Sequence, residues 1–292
     1  MRLLSLRDGP DERLAVAVGD RALRADLVLS GGPATMRELL DGRPRRLTEL
    51  RAAATGALGR IEAEGTPLAE LRLLAPVPRP GKVVAIGLNY RAHAREQKVE
   101  APPAPLIFAK FPTAVIGAGD TISWDPALTT QVDYEAELAV VIGRTARNVS
   151  TADALDYVLG YTCANDVSAR DLQFGDRQWV RGKSLDTFCP LGPVLVTADE
   201  IPDPGVLDIA CDVNGERRQD SNTADLIFPV AAIVAHCARA FTLEPGDVIL
   251  TGTPSGVGMF SDPPRFLHDG DEVVVEIERI GRLVNTCREL LG

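Results

Sequence analysis

No apolar stretch in this sequence approaches the roughly 18 residues that cross a bilayer, and the opening M-R-L-L-S-L-R-D-G-P puts charge and a turn where a secretory signal needs a continuing apolar run. An excess of basic charge is also missing. Against 31 Lys and Arg stand 41 Asp and Glu, a formal net charge of -10, which argues against nucleic acid or an anionic membrane as the main partner. Anionic small molecules stay open, because a local Lys, Arg or metal charge overrides the global sign inside a pocket. The five cysteines, Cys163, Cys189, Cys211, Cys237 and Cys287, are odd in number and form no C-x-x-C pair, so neither a disulfide framework nor a zinc site is expected. Reduced thiols and the absent signal predict a cytoplasmic protein. Internal repeats and low-complexity tracts are absent, and the loop Gly252-Thr-Pro-Ser-Gly-Val-Gly258 lacks the G-K-[ST] ending of a phosphate-binding loop.

What is present is an ordinary globular composition, 45% hydrophobic and 25% charged over 292 residues, long enough for roughly two domains. The stretch Gln131 to Gly143, Q-V-D-Y-E-A-E-L-A-V-V-I-G, is rich in β-branched residues and predicts a strand. On a strand, residues two apart share a face. One face carries Val132, Tyr134, Ala136, Leu138, Val140 and Ile142; the other carries Asp133, Glu135 and Glu137 and then turns apolar at Ala139 and Val141. Three solvated acids on an exposed edge strand would give a similar pattern, but a solvent face would have stayed polar. The apolar continuation points Glu135 and Glu137 toward an interior, where carboxylates need a cation or a proton. With oxygen donors alone, a hard ion such as Mg²⁺ or Mn²⁺, with Ca²⁺ as a third candidate, fits better than zinc.

Residues 1 to about 75 read as a small α+β segment, with strand-like pieces at Leu3 to Arg7, Arg13 to Val18 and Leu23 to Leu29, and a helix from Leu47 to about Ile61. The Pro-rich run Ala75 to Gly81 reads as a stiff linker, dividing a small N-terminal domain (1–75) from a main domain (76–292). Beyond it, a strand Lys82 to Ile86 leads through Gly87-Leu-Asn into a short helix that places His93 and Glu96 three apart on one face. A carboxylate beside an imidazole fixes its orientation and raises its basicity, as a water-activating base requires; a surface His-Glu pair has the same spacing. His236 lies in the apolar helix-like run Val230 to Phe241, where core packing is the expectation. Lys110 interrupts an apolar strand, either snorkelling to water or facing an anionic substrate. Asp166 stands at a strand-to-helix changeover, as an N-cap or as a third carboxylate for a metal. The strand-like stretch around Val180 offers a second interior cation in Lys183, Asn214-Gly215 signals a two-residue hairpin, and Thr253 with its loop N–H groups is placed to meet a carboxylate.

In order along the chain stand G-L-N-Y-R-A-H-A-R-E, F-A-K-F-P, V-D-Y-E-A-E-L-A-V-V-I-G, N-D-V-S-A-R-D-L-Q, R-G-K-S, N-G-E-R-R-Q and P-G-D-V-I-L-T-G-T-P-S-G-V-G. From about Gly81 to Glu289 this set resembles the fumarylacetoacetate hydrolase family, in its smaller prokaryotic form. The resemblance implies an α+β, predominantly β fold, a mixed β-roll assembled as a homodimer. It implies Glu135, Glu137 and Asp166 as metal ligands, His93 and Glu96 as a catalytic dyad on a mobile segment, and Lys183 beside the developing oxyanion. Arg170 and Gln173 would line the pocket, with Lys110 and Thr253 as further substrate-side contacts. The run Glu96-Gln-Lys-Val departs from the family, where many relatives place a glycine soon after the Glu. The activity implied is metal-dependent hydrolysis of a 2,4-dioxo acid, an acylpyruvate, to pyruvate and a carboxylic acid. The alternatives on the same metal site are decarboxylation of an oxaloacetate-type 2-oxo diacid, hydration or isomerisation of a 2-oxo-enoate, and, more remotely, a non-catalytic protein that binds metal and 2-oxo acid.

Overall fold

The computed structural model describes residues 1–290. The long apolar runs become strands of one sheet, whose hydrogen-bonded order is Thr66–Pro67, Arg21–Arg24, Asp11–Val18, Arg2–Asp8, Cys189–Thr197, Val158–Asn165, Ala136–Ile142, Val248–Leu250, Val83–Gly87 and Leu106–Lys110. Val115–Ile116 adds a parallel partner beside Cys189–Thr197. A second, five-stranded sheet runs Glu216–Asn222, Asp208–Val213, Glu272–Ile277, Gly281–Glu289 and Thr121–Trp124. The mainly-β α+β class is therefore the class of this fold.

The strand Ala136–Ile142 is buried along its whole length because both faces are covered. Leu138, Val140 and Ile142 pack with Ile209, Val273 and Val275 of the second sheet, whereas Ala139 and Val141 join Met36, Leu50 and Ile61 of the N-terminal helices. Each fully buried Val or Ile contributes about 1.5–3 kcal/mol, which fixes the register, since a one-residue slip would exchange the two faces. Register in turn fixes where the acids at the start of the strand emerge.

Three local expectations are corrected. The segment Leu23 to Leu29 is not a strand throughout: pairing ends at Arg24 and the chain turns into the short helix Ala25–Val28. The helix expected from Leu47 to Ile61 is two helices, Arg43–Gly56 and Leu58–Glu64, separated at Ala57. Val180–Lys183 is a helical turn, not a strand; a four-residue turn is too short to show a helical period, and tertiary contact decides it. The hairpin at Asn214-Gly215 forms as its sequence demands, with φ of 53° and 76°. Arg2–Asp8 pairs antiparallel with Cys189–Thr197, so the N-terminal strands extend the main sheet, and Ala75 and Val77 in the Pro-rich run are buried. Among the described residues, no helix is long and apolar enough to cross a membrane.

Candidate metal centre and catalytic dyad

The acidic strand is interrupted where it carries its chemistry. Pairing covers Val132–Asp133, lapses at Tyr134 and Glu135, and resumes with Ala136–Ile142. The neighbouring strand Val158–Asn165 is set so that Ala136 opposes Asn165, and the Asp166 N–H donates to the Glu135 carbonyl at 2.9 Å. Asp166 is thereby delivered beside Glu135 and Glu137. It is not an N-cap; the helix Arg170–Gly175 is preceded by Ala169. The three buried carboxylates offer oxygens within 4.8 Å of one another.

Cations surround two of the three acids. Lys183 Nζ lies 2.9 Å from Glu135 Oε2 and 2.8 Å from Asp166 Oδ2. Lys110 Nζ donates to Asp166 Oδ1 at 2.5 Å and to the Val167 carbonyl at 3.1 Å. Arg170 donates to Glu135 Oε1 at 2.6 Å, to Asp133 Oδ2 at 2.9 Å and to Gln173 Oε1 at 3.0 Å. Burial pushes the Glu135 carboxyl up, but Lys183 and Arg170 outweigh it and hold the group down at about 2. Glu137 has no salt-bridge partner among the described residues and receives the Gly252 N–H at 2.5 Å. Burial, then the charges of Asp166 and Glu135, push its carboxyl well above the usual carboxylate range.

This imbalance tests whether a metal ion fits. With Asp133 and Arg170 cancelling, the buried Glu135, Glu137 and Asp166 exceed Lys110 and Lys183 by one negative charge, and the donors are all oxygen. A hard divalent ion matches that donor set and removes the repulsion on Glu137. Metal-free, the chain carries a pH signature. A carboxyl whose folded pKa is raised stabilises the fold fully below its unfolded pKa and loses that contribution as pH rises through the folded value. The metal-free wild type is expected to lose stability as pH climbs above the ordinary carboxylate range, and Glu137→Gln, neutral throughout, to lack that component. Urea midpoints of both proteins in chelator, compared across pH, measure the difference; parallel curves would refute it.

The dyad sits on the short helix Arg91–Glu96, which follows the strand Val83–Gly87. His93 Nδ1 is 2.7 Å from Glu96 Oε2, and the Gly256 N–H holds the other Glu96 oxygen at 2.8 Å. In the neutral ring Nδ1–H donates to Glu96, leaving the Nε2 lone pair toward the cleft. The glycines of that loop are required by geometry. A Cβ on Gly256, at φ +104°, would come 2.1 Å from the Arg218 carbonyl oxygen, and one on Gly252, at φ +105°, 2.7 Å from Asn89 Cβ.

A cleft of about 40 Å³ brings together His93, Glu135, Glu137, Arg170, Gln173, Lys183 and Thr253. Thr253 is turned partly inward, accepting from Gln219 Nε2 at 2.8 Å. Lys110 lies behind Asp166, 1% exposed and away from the cleft wall, so its contact is with a carboxylate of the protein in place of a substrate. His236 is half-buried on the helix Val230–Ala240, facing away from the cleft beside Pro103 and Arg239. The N–H groups of Gly252, Gly256 and Gly258 meet the protein's own acids, Glu137, Glu96 and Asp133. All five cysteines are free and buried; burial pushes Cys189, Cys237 and Cys287 up to about 12, which removes them as thiolate nucleophiles. Two residues go beyond the sequence reading. Asp133 anchors Arg170 and the loop N–H groups of Gly258 and Met259, and its place on the face of Glu135 and Glu137 was the available signal. Gln97 lies 2.6 Å from His93 Nε2, at the i+4 spacing that puts two helix residues on one face.

Comparison with known proteins places the chain in a family. Residues 82–288 match the family model described as fumarylacetoacetate (FAA) hydrolase C-terminal. A bovine (Bos taurus) protein named oxaloacetate tautomerase FAHD2B, mitochondrial, is 48% identical over 87% of this chain and 79% of its own length. The structure of fumarylacetoacetate hydrolase from Exiguobacterium antarcticum superposes with a TM-score of 0.83 at 36% identity, covering 99% of this chain and 100% of that one. The structure of maleylpyruvate hydrolase from Sphingobium sp. SYK-6, in complex with manganese(II) and pyruvate, gives 0.82 at 33% identity over 100% of both chains. The matched region contains the acidic triad, the dyad and Lys183, and the chain belongs to the fumarylacetoacetate hydrolase family of enzymes.

Proposed function

We propose that this protein is a divalent-metal enzyme that interconverts the enol and keto forms of a small 2-oxo diacid of the oxaloacetate type. The observation that carries the reading is one small cleft in which an imidazole oriented by Glu96 shares a wall with Glu135, Glu137 and Lys183. Tautomerisation requires a proton to leave the enol oxygen and one to arrive at the far carbon of the enol double bond, with negative charge held between. The 48% identity to a protein named oxaloacetate tautomerase supports the substrate class.

A divalent ion held by Glu135, Glu137 and Asp166 would supply Lewis-acid stabilisation of charge on the 2-oxo oxygen. His93 Nε2 exchanges a proton at the carbon next to the 2-oxo carbon, while Glu96 holds the ring in one tautomer and stabilises it when charged. Lys183, locked between Glu135 and Asp166, keeps a preorganised ammonium against the developing enolate. Arg170 and Gln173, hydrogen-bonded to each other, present polar groups to a carboxylate.

Hydrolysis of an acylpyruvate is the second reading, favoured by the dyad's suitability for activating water and by the likeness to a maleylpyruvate hydrolase. One experiment separates them. Enol-oxaloacetate is followed by its ultraviolet absorbance with Mn²⁺ and with excess chelator, while pyruvate and carbon dioxide are assayed in the same samples, and acetylpyruvate is run in parallel. Metal-dependent enol loss above the buffer rate, without pyruvate, is the expected result. Faster pyruvate release from acetylpyruvate would make the protein a hydrolase, and carbon dioxide from oxaloacetate would make it a decarboxylase.

A further inference from the structure

We infer that Gln97 is a mask over the base, holding the acceptor nitrogen of His93 in the ligand-free chain so that a substrate must displace it. The inference rests on the reading of His93 as the proton acceptor of the reaction. His93 Nδ1 is committed to Glu96 at 2.7 Å, and the Gln97 amide lies 2.6 Å from Nε2, so both ring nitrogens are taken. With Nδ1 carrying the proton, the amide N–H of Gln97 donates to the Nε2 lone pair. That is the position a substrate C–H, an enol O–H or a water must occupy for His93 to act.

The local fold holds Gln97 there. The helix closes with Gln97 as its C-cap, Lys98 in the left-handed region at φ 56°, and the Val99 N–H returning to the Ala94 carbonyl at 3.0 Å, the bond pattern of a Schellman termination. This turn keeps Gln97 in register four residues after His93, on the same face. The cleft is consistent with displacement. Its volume of about 40 Å³ holds about three waters, and Gln97 is one of its walls. A four-carbon diacid therefore needs a side chain to yield, and Gln97, half-buried at a helix end, is freer to rotate than the ion-paired Arg170 or Lys183.

Carbethoxylation of histidine by diethylpyrocarbonate reads access to a free imidazole nitrogen without turnover, and the exposed His268 is a reference within the same molecule. Full-length wild type, Gln97→Ala and Gln97→Asn are labelled with and without Mn²⁺, and the rates at His93 and His268 are resolved by peptide mass spectrometry. The ratio of His93 to His268 labelling is expected to rise about tenfold in Gln97→Ala. Gln97→Asn, which keeps an amide one methylene too short to reach Nε2, is expected to follow it. In steady-state kinetics the change is expected to fall on KM, lowered about threefold to tenfold because one hydrogen bond no longer has to break. A labelling ratio within twofold of wild type in Gln97→Ala would overturn the mask, as would an asparagine variant that protects as well as glutamine. Labelling needs no substrate, so failure of the tautomerase reading on oxaloacetate would leave this result standing and distinguishable.

Discussion

His93→Ala is expected to slow enol–keto interconversion by about 10²- to 10⁴-fold, the range for loss of a positioned general base or acid, while the chain keeps its response to Mn²⁺. The split follows from geometry. His93 is oriented by Glu96 through Nδ1, and the acid cluster suited to a metal is Glu135, Glu137 and Asp166 without it. Removing the imidazole thus removes the proton carrier and leaves the carboxylates with their lysines. Enol decay gives the rate, and the rise in Tm on adding Mn²⁺ reports whether the cluster still binds. Turnover at the wild-type rate would show that the dyad is not the base, and loss of the Mn²⁺ response would place His93 at the ion.

Asp166→Ala and Glu137→Gln are expected to fail in opposite ways, although both remove an acid of one cluster. Asp166 is bonded by two buried ammoniums, Lys110 and Lys183. Truncating it leaves Lys110, fully enclosed, with only the Val167 carbonyl. Breaking a buried pair in this way costs about 3–5 kcal/mol, on the order of 10 °C in Tm for a chain of this size. Glu137 is the opposite case, an acid raised by burial and then by its acidic neighbours, with no salt-bridge partner among the described residues. Its replacement by an isosteric amide relieves repulsion, so metal-free Glu137→Gln is expected to melt no lower than wild type and to lose the Tm gain with Mn²⁺. Thermal melts of the three proteins in chelator and in Mn²⁺ test both. A Mn²⁺-induced gain retained by Glu137→Gln would remove Glu137 from the metal centre, and an unchanged Tm for Asp166→Ala would mean that its lysines find other partners.

Short-range relations were legible in the sequence because backbone periodicity carries them. Alternation on a strand put Glu135 and Glu137 on one face and Val132 to Ile142 at every second position on the other, and the structure sets that apolar face in one core and Ala139 and Val141, which continue the acid face, in the other. Helical spacing put Glu96 beside His93, and Asn-Gly specified its own hairpin through left-handed φ values. The same periodicity misled where an element was too short to express it, as in the helical turn Val180–Lys183, and where the chain broke a long helix at Ala57.

Partnerships across the chain were decided only by tertiary structure. Lys110 reads equally as a snorkelling or a substrate-facing lysine, and the packing of its strand turned it onto Asp166, 56 residues away. Asp133 shares the face of the metal-ligand candidates, yet Arg170 and the loop at Gly258 claim it. The amino-acid sequence by itself determined which residue types stand together on each strand and helix, since that depends on φ, ψ and spacing alone. Which acid meets which cation depends on strand order and register across the sheets, and there the burial of many side chains at once, not any local motif, sets the geometry.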